Sequence, residues 1–230
     1  MPIQLRVLGC FRLSVDGEPV EISPVPARIL AYLALQHREA ERSEIARVLW
    51  PGTAHGRALG NLRSALWRLP GGSRHAVTEC GTSLQLSPEV VCDLDLIEQG
   101  LSPAASENAP DVLTWGWRDE LLAGWYDDWV LWARDQLQAR RAVALERLSI
   151  TSCARGLPGD ALLYAALAVG AQPLRESAHR ALLRAHLDRG NRLEAVELYR
   201  ELALMLRREL GVAPSIETAA LMGDLAKAVA

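Results

Sequence analysis

The sequence predicts a mainly α protein with a small β component. A mixed unit of strands, three helices and a hairpin comes first, and an all-α helical repeat follows. Three observations carry this. Apolar residues alternate near the start and again around residues 76–86, the period of half-buried strands. Elsewhere, and almost throughout from about residue 91, they recur at helical spacing. The second half also matches itself at an offset of 34 residues, a period of paired helices. At 230 residues the chain is long enough for two small domains, with the border placed at residues 90–91.

The elements follow in order. Ile3, Leu5 and Val7 alternate, then Phe11, Leu13 and Val15, then Val20 and Ile22. Asp16-Gly17 between two such runs is a hairpin signal. Pro24 and Pro26 open a first helix, where a missing N–H costs nothing, and Ile29, Leu30, Leu33 and Ala34 share one of its faces. Ser43 is suited to cap a short second helix, 44–50, which Pro51 stops. A third helix is expected from His55 to Leu69, ended by Pro70-Gly71-Gly72. Residues 76–79 and 83–86 read as two strands around Gly81. A short helix, a turn, a second helix and a hairpin make a winged helix-turn-helix.

Ser102 to Pro110 is the clearest loop. Beyond it, helices are expected at roughly 129–154, 159–171, 174–188, 192–210 and 215–228. Arg155-Gly156 recurs as Arg189-Gly190, Ala161 aligns with Ala195, and Leu148 with Leu182. Gly at the turn and Ala at a close helix crossing give a tetratricopeptide-like repeat.

Composition excludes several classes. Half the chain is apolar and 23% is charged, so a core forms. Basic and acidic residues nearly balance, 25 against 28, so bulk charge does not coat a nucleic acid or membrane. The longest apolar run, 161–171, is too short to span a bilayer. The start carries no basic segment followed by a long apolar one, so no signal peptide is readable, and the expectation is a soluble cytoplasmic protein. Cys10, Cys80, Cys92 and Cys153 show no CxxC spacing, and the five His never fall at metal-ligand spacing with a carboxylate. No dinucleotide, P-loop or nucleophile-elbow motif occurs. Neither catalysis, a metal nor a cofactor is expected.

The third helix carries the chemistry. Leu59, Leu62, Leu66 and Leu69 fall within about 80° of arc on a helical wheel. With Arg57 at zero, Asn61 falls at about 40°, Ser64 at about 340° and Arg68 at about 20°, opposite the leucines. Arg63 and Trp67 flank this stripe. Between Trp50 and His75 stand four Arg and no acid. Arg reads guanine, Asn reads adenine, and Ser or Arg holds phosphate, so the stripe suits a major groove. A solvated amphipathic helix shows the same pattern. At the wing tip Thr82 and Ser83 offer hydroxyls to a phosphate, and Glu79 opposes one. Trp115, Trp117, Trp125, Trp129 and Trp132 suit either a stacking platform for single strands or, given their acidic neighbours and the helical spacing of Trp125, Trp129 and Trp132, a packed face.

Several blocks resemble a known family. Glu120-Leu121-Leu122-Ala123-Gly124-Trp125-Tyr126-Asp127-Asp128-Trp129-Val130, then residues 173–180, then Glu209-Leu210-Gly211-Val212-Ala213-Pro214-Ser215 resemble the bacterial transcriptional activator domain of SARP-type regulators. Leu8-Gly9-Cys10-Phe11, Val48-Leu49-Trp50-Pro51 and residues 61–69 resemble that family's OmpR/PhoB-type winged helix. The resemblance implies a winged-helix DNA-binding domain over 1–90 and an activator domain over 91–230. It implies an activator that binds direct repeats in double-stranded promoter DNA, as a homodimer, and contacts RNA polymerase. By that implication the DNA candidates are Arg57, Asn61, Arg63, Ser64 and Arg68, to which the wing-tip reading adds Thr82 and Ser83. The competing readings are a helical-repeat adaptor with a degenerate winged helix and, more distantly, an enzyme.

Overall fold

A computed structural model of the chain describes residues 2–101 and 119–223. These residues divide into two compact units: 2–100 with 119–134, and 101 with 135–223.

In the first unit, β1 (Ile3–Arg6), β2 (Arg12–Val15) and β3 (Glu18–Pro19) lead into α1 (Pro24–Leu35). Then come β4 (Glu39–Glu41), α2 (Arg42–Leu49), α3 (His55–Trp67), β5 (Val77–Cys80), β6 (Ser83–Leu86), β7 (Val90–Cys92) and α4 (Asp93–Leu101). One sheet runs β3-β2-β1-β7, with β7 parallel to β1; the other runs β4-β6-β5. Leu5 pairs with Leu13 and both point inward, while Gln4, Arg6 and Arg12 face solvent. Asp16 and Gly17 both take positive φ, 52° and 87°, as a tight hairpin turn of primed type demands. The core lies under α1, whose Ile29, Leu30 and Leu33 are fully buried; α1 packs against α2 and α3, whose Ile45 and Leu62 are buried too. Each such side chain contributes roughly 1.5–3 kcal/mol.

Several local expectations shift. α2 begins at Arg42, with Glu41 as its N-cap and no side-chain cap bond, so Ser43 sits inside the first turn. The cause is β4: Glu41 pairs with Ser83, and this extended pairing carries the backbone to the helix start. α3 ends at Trp67, with Arg68 at its C-cap and Leu69 buried just beyond. The Arg74 guanidinium closes that end, donating to the carbonyls of Leu69 and Trp67 at 2.9 Å each. A cation on terminal carbonyls also complements the helix dipole.

Neither β4 nor β7 is legible as a strand beforehand, and the expected border at 90–91 falls inside β7. Two side chains anchor this edge. Asp93 accepts the Val7 and Leu8 N–H groups at 2.9 Å each. Burial pushes its carboxyl above the ordinary value, although those bonds and Arg6 pull it down. Arg38 pairs with Asp95 and donates to the carbonyls of Ser87 and Val90.

Residues 119–134 belong to this unit as well. Leu121 bridges Leu8, the Leu122 N–H donates to Val7 O at 2.7 Å, and the Ala123 N–H to Gly9 O at 2.8 Å. Arg134 donates to the carbonyls of Leu121, Leu122 and Trp125 and pairs with Glu120. Trp125 stacks on Phe11 and meets Trp129 edge-on, and Trp129 meets Tyr32. For these two residues the packed face wins over a stacking platform. Trp132 is 62% exposed; Trp115 and Trp117, with the loop expected at 102–110, lie outside the described residues.

The second unit is helical: α5 (Asp128–Ala154) from residue 135, α6 (Pro158–Ala171), α7 (Glu176–Asp188), α8 (Arg192–Leu210) and α9 (Ile216–Met222). The 34-residue match is structural. Gly156 and Gly190 both adopt positive φ, 72° and 76°, at equivalent helix ends, and Ala161 and Ala195 are both fully buried. The specific blocks in this half act as braces. Glu176 accepts from the Ser215 N–H at 2.7 Å and its hydroxyl at 2.6 Å, tying α7 to the start of α9. Arg175 and Ser177 both donate to Glu146 of α5. His179 bonds the Pro173 carbonyl at 2.8 Å. No helix among the described residues is long and apolar enough to cross a membrane.

Candidate nucleic-acid interface

α2, the turn 50–54 and α3 form a helix-turn-helix, and β5–β6 stand beside it as the wing. Ala58, Leu62 and Ala65 bury one face of α3, with Leu59 and Leu66 half-buried at its margins. That burial turns the opposite face outward.

Arg57 and Arg63 are exposed and make no hydrogen bond or ion pair with any described residue. Asn61 is half-buried, and its amide also has no partner. Ser64 is exposed, but its hydroxyl donates to the Gly60 carbonyl at 3.0 Å, leaving its oxygen only as an acceptor. Arg68 is exposed, with Nε on the Ser64 carbonyl at 3.2 Å and the rest of the guanidinium outward. These five share the solvent side of one helix end to end.

The wing hydroxyls are differently placed. Thr82 is exposed and Ser83 is 8% exposed, and both donate to Glu41, at 3.1 and 3.3 Å. Ser83 therefore serves the β4–β6 junction. Glu79, which opposes a phosphate on sequence grounds, is paired with Arg42 at 2.8 Å, so its charge is largely matched.

One residue read from the sequence only as a flank of the stripe lies well inside this face. On the same wheel Trp67 lies at about 280° and Arg63 at about 240°, so the outward arc runs from Arg63 to Asn61 with Trp67 inside it. Trp67 is 76% exposed, and the Arg74 guanidinium sits over its ring, 5.4 Å from the centroid. Centring the wheel on Arg57 puts Trp67 at the flank; centring it opposite Leu62 and Ala65 puts it near the middle. Among the described residues, no group of three or more His, Cys, Asp and Glu could hold a metal ion.

Residues 99–225 match the family model described as the bacterial transcriptional activator domain. The structure is similar to that of Mycobacterium tuberculosis EmbR, determined in complex with a low-affinity phosphopeptide. The TM-score is 0.77 at 20% identity, over 99% of this chain. At that identity the likeness is one of fold, and this chain spans 65% of the EmbR chain's length. No curated protein sequence matches the chain.

Proposed function

The chain belongs to the bacterial transcriptional activator domain family; from that premise we propose that it is a SARP-type transcriptional regulator that binds double-stranded promoter DNA through α3. The observation that carries this is the outward face of α3. Arg57, Asn61 and Arg63 there hold unspent donors, within a stretch of four Arg and no acid. In this proposal Arg57 and Asn61 meet base edges, Arg63 and Arg68 hold backbone phosphates, and the Ser64 hydroxyl leaves the Gly60 carbonyl to donate to a phosphate. Thr82 leaves Glu41 for a phosphate at the wing tip, and Ser83 stays with Glu41. DNA binding is assigned to residues 1–90 and the activator role to 91–230, with 91–100 and 119–134 of the latter packed in the first unit. The protein acts in the cytoplasm as a homodimer on direct repeats and activates by contact with RNA polymerase.

The test begins with in vitro selection of duplexes from a random library by the purified chain. Affinities are then measured by fluorescence anisotropy across a salt series. Each neutralised phosphate contributes a slope of about −0.9 to log affinity against log salt. Arg63→Gln should weaken all duplexes equally and reduce the slope by about one. Asn61→Ala should cost roughly 1–3 kcal/mol and relax preference at one position. Recovery of no duplex, or a flat salt response, overturns the proposal.

A further inference from the structure

We propose that Trp67, fixed by Arg74, is an additional DNA-contacting residue that reads an apolar group of the duplex at the carboxy-terminal end of α3; this rests on the proposal that α3 binds DNA. Three observations converge on it. The ring lies inside the outward arc of α3 and is 76% exposed. It is also held in place. Arg74 donates to the Trp67 and Leu69 carbonyls and lays its guanidinium over the indole, so backbone and ring are pinned by one side chain. A large rigid aromatic loses little conformational entropy on contact, and such residues are over-represented among binding hot spots. Finally, Arg63, Arg68 and Arg74 flank it in a stretch without acid, and Glu79, the carboxylate lining a hollow beside the ring, is paired with Arg42.

Charge complementarity therefore selects an anionic partner that also presents apolar groups. DNA meets both conditions. Phosphates suit the flanking arginines, while the thymine 5-methyl and the deoxyribose carbons are the apolar surfaces open to a side chain. That hollow of about 190 Å³, lined by Leu66, Leu69, Val77 and Leu84 with Arg74 and the Arg42-paired Glu79, gives that apolar group a second wall.

The experiment compares the parent, Trp67→Ala, Trp67→Phe and Arg74→Gln on the tightest selected duplex and on copies with each thymine replaced by uracil. Thermal unfolding of each variant accompanies binding. Trp67→Ala should keep the parent melting temperature, because the ring is exposed, and weaken binding by about tenfold. Trp67→Phe should restore most of that loss, and Arg74→Gln should give an intermediate one. A thymine whose replacement weakens the parent but not Trp67→Ala identifies the methyl as the contact. A tenfold loss unaffected by any uracil identifies the deoxyribose, and supports the proposal equally. Parent-like affinity of Trp67→Ala for every duplex overturns it while leaving the α3 reading intact. Parent-like affinity with lost promoter activation also overturns it, and assigns the ring to a protein partner. If the parent selects no duplex, both proposals fail together.

Discussion

Gly60→Ala separates what α3 needs for folding from what it needs for binding. Gly60 lies mid-helix, where glycine costs about 0.8–1.0 kcal/mol relative to alanine. An added Cβ there would meet no heavy atom within 4 Å, and the backbone does not sit at positive φ. Nothing in the fold thus requires glycine, and the substitution should stabilise the protein by about 0.5–1 kcal/mol, a rise in melting temperature of about 2–8 °C. The Ser64 hydroxyl bonds the Gly60 carbonyl, which the substitution leaves in place. On the wheel, however, Gly60 falls at about 300°, between Trp67 and Ser64. A methyl there holds an approaching groove away from the helix backbone, so affinity for a selected duplex should drop by about tenfold, or about 1.4 kcal/mol. Calorimetry and anisotropy on the same preparation read both effects. An unchanged or lowered melting temperature would refute the packing argument. A raised one with undiminished affinity would show that DNA does not approach this face closely.

Other outcomes follow from the braces and the core. Burial alone would push the Glu176 carboxyl up, but bonds from Ser215 and Thr218 and the charge of Arg180 outweigh it and hold it below its ordinary 4.5. Its folded value lies under its unfolded one, so this stabilisation is complete above about pH 4.5 and fades as pH falls through the folded value. Glu176→Gln should cost about 1–3 kcal/mol at pH 7 and flatten the acid limb of a denaturation curve between pH 5 and pH 3, roughly the range of ordinary carboxyls. Equal sensitivity in parent and variant would contradict this. Ala195→Leu, at a position with no exposed surface, should overpack the repeat by roughly 1–3 kcal/mol, read as a lower urea midpoint. Arg134→Met should remove three carbonyl bonds and destabilise the first unit by about 2 kcal/mol or more, seen as lost amide protection at Leu122 and Ala123. Cys10 and Cys80 are exposed and should react with maleimide at pH 7.5. Cys92, whose thiol burial pushes up to about 12, should stay unlabelled until the protein unfolds.

Much of this protein is written in local sequence. The alternation of Ile3, Leu5 and Leu13, the Asp16-Gly17 turn and the two prolines in the first turn of α1 each act over a few residues, and each forms as its period or φ preference dictates. The offset between Arg155-Gly156 and Arg189-Gly190 needed only comparison of the chain with itself, and the acid-free arginine stretch only counting. Tertiary structure alone decided the partners. β4 and β7 are strands because Ala40 meets Leu84 and Gln4 meets Val91, pairings between positions more than forty residues apart. Ser83 is withheld from solvent, Glu79 is matched by Arg42, and Arg74 is placed on Trp67 by contacts that no spacing rule encodes. The block from Glu120 to Val130 falls by sequence within the second domain, yet its N–H groups and carbonyls bond Val7, Gly9 and Arg134. Periodicity specifies which face of an element is apolar. Which distant segment covers that face depends on burial and hydrogen-bond satisfaction summed over the folded unit, and that sum exists only in three dimensions.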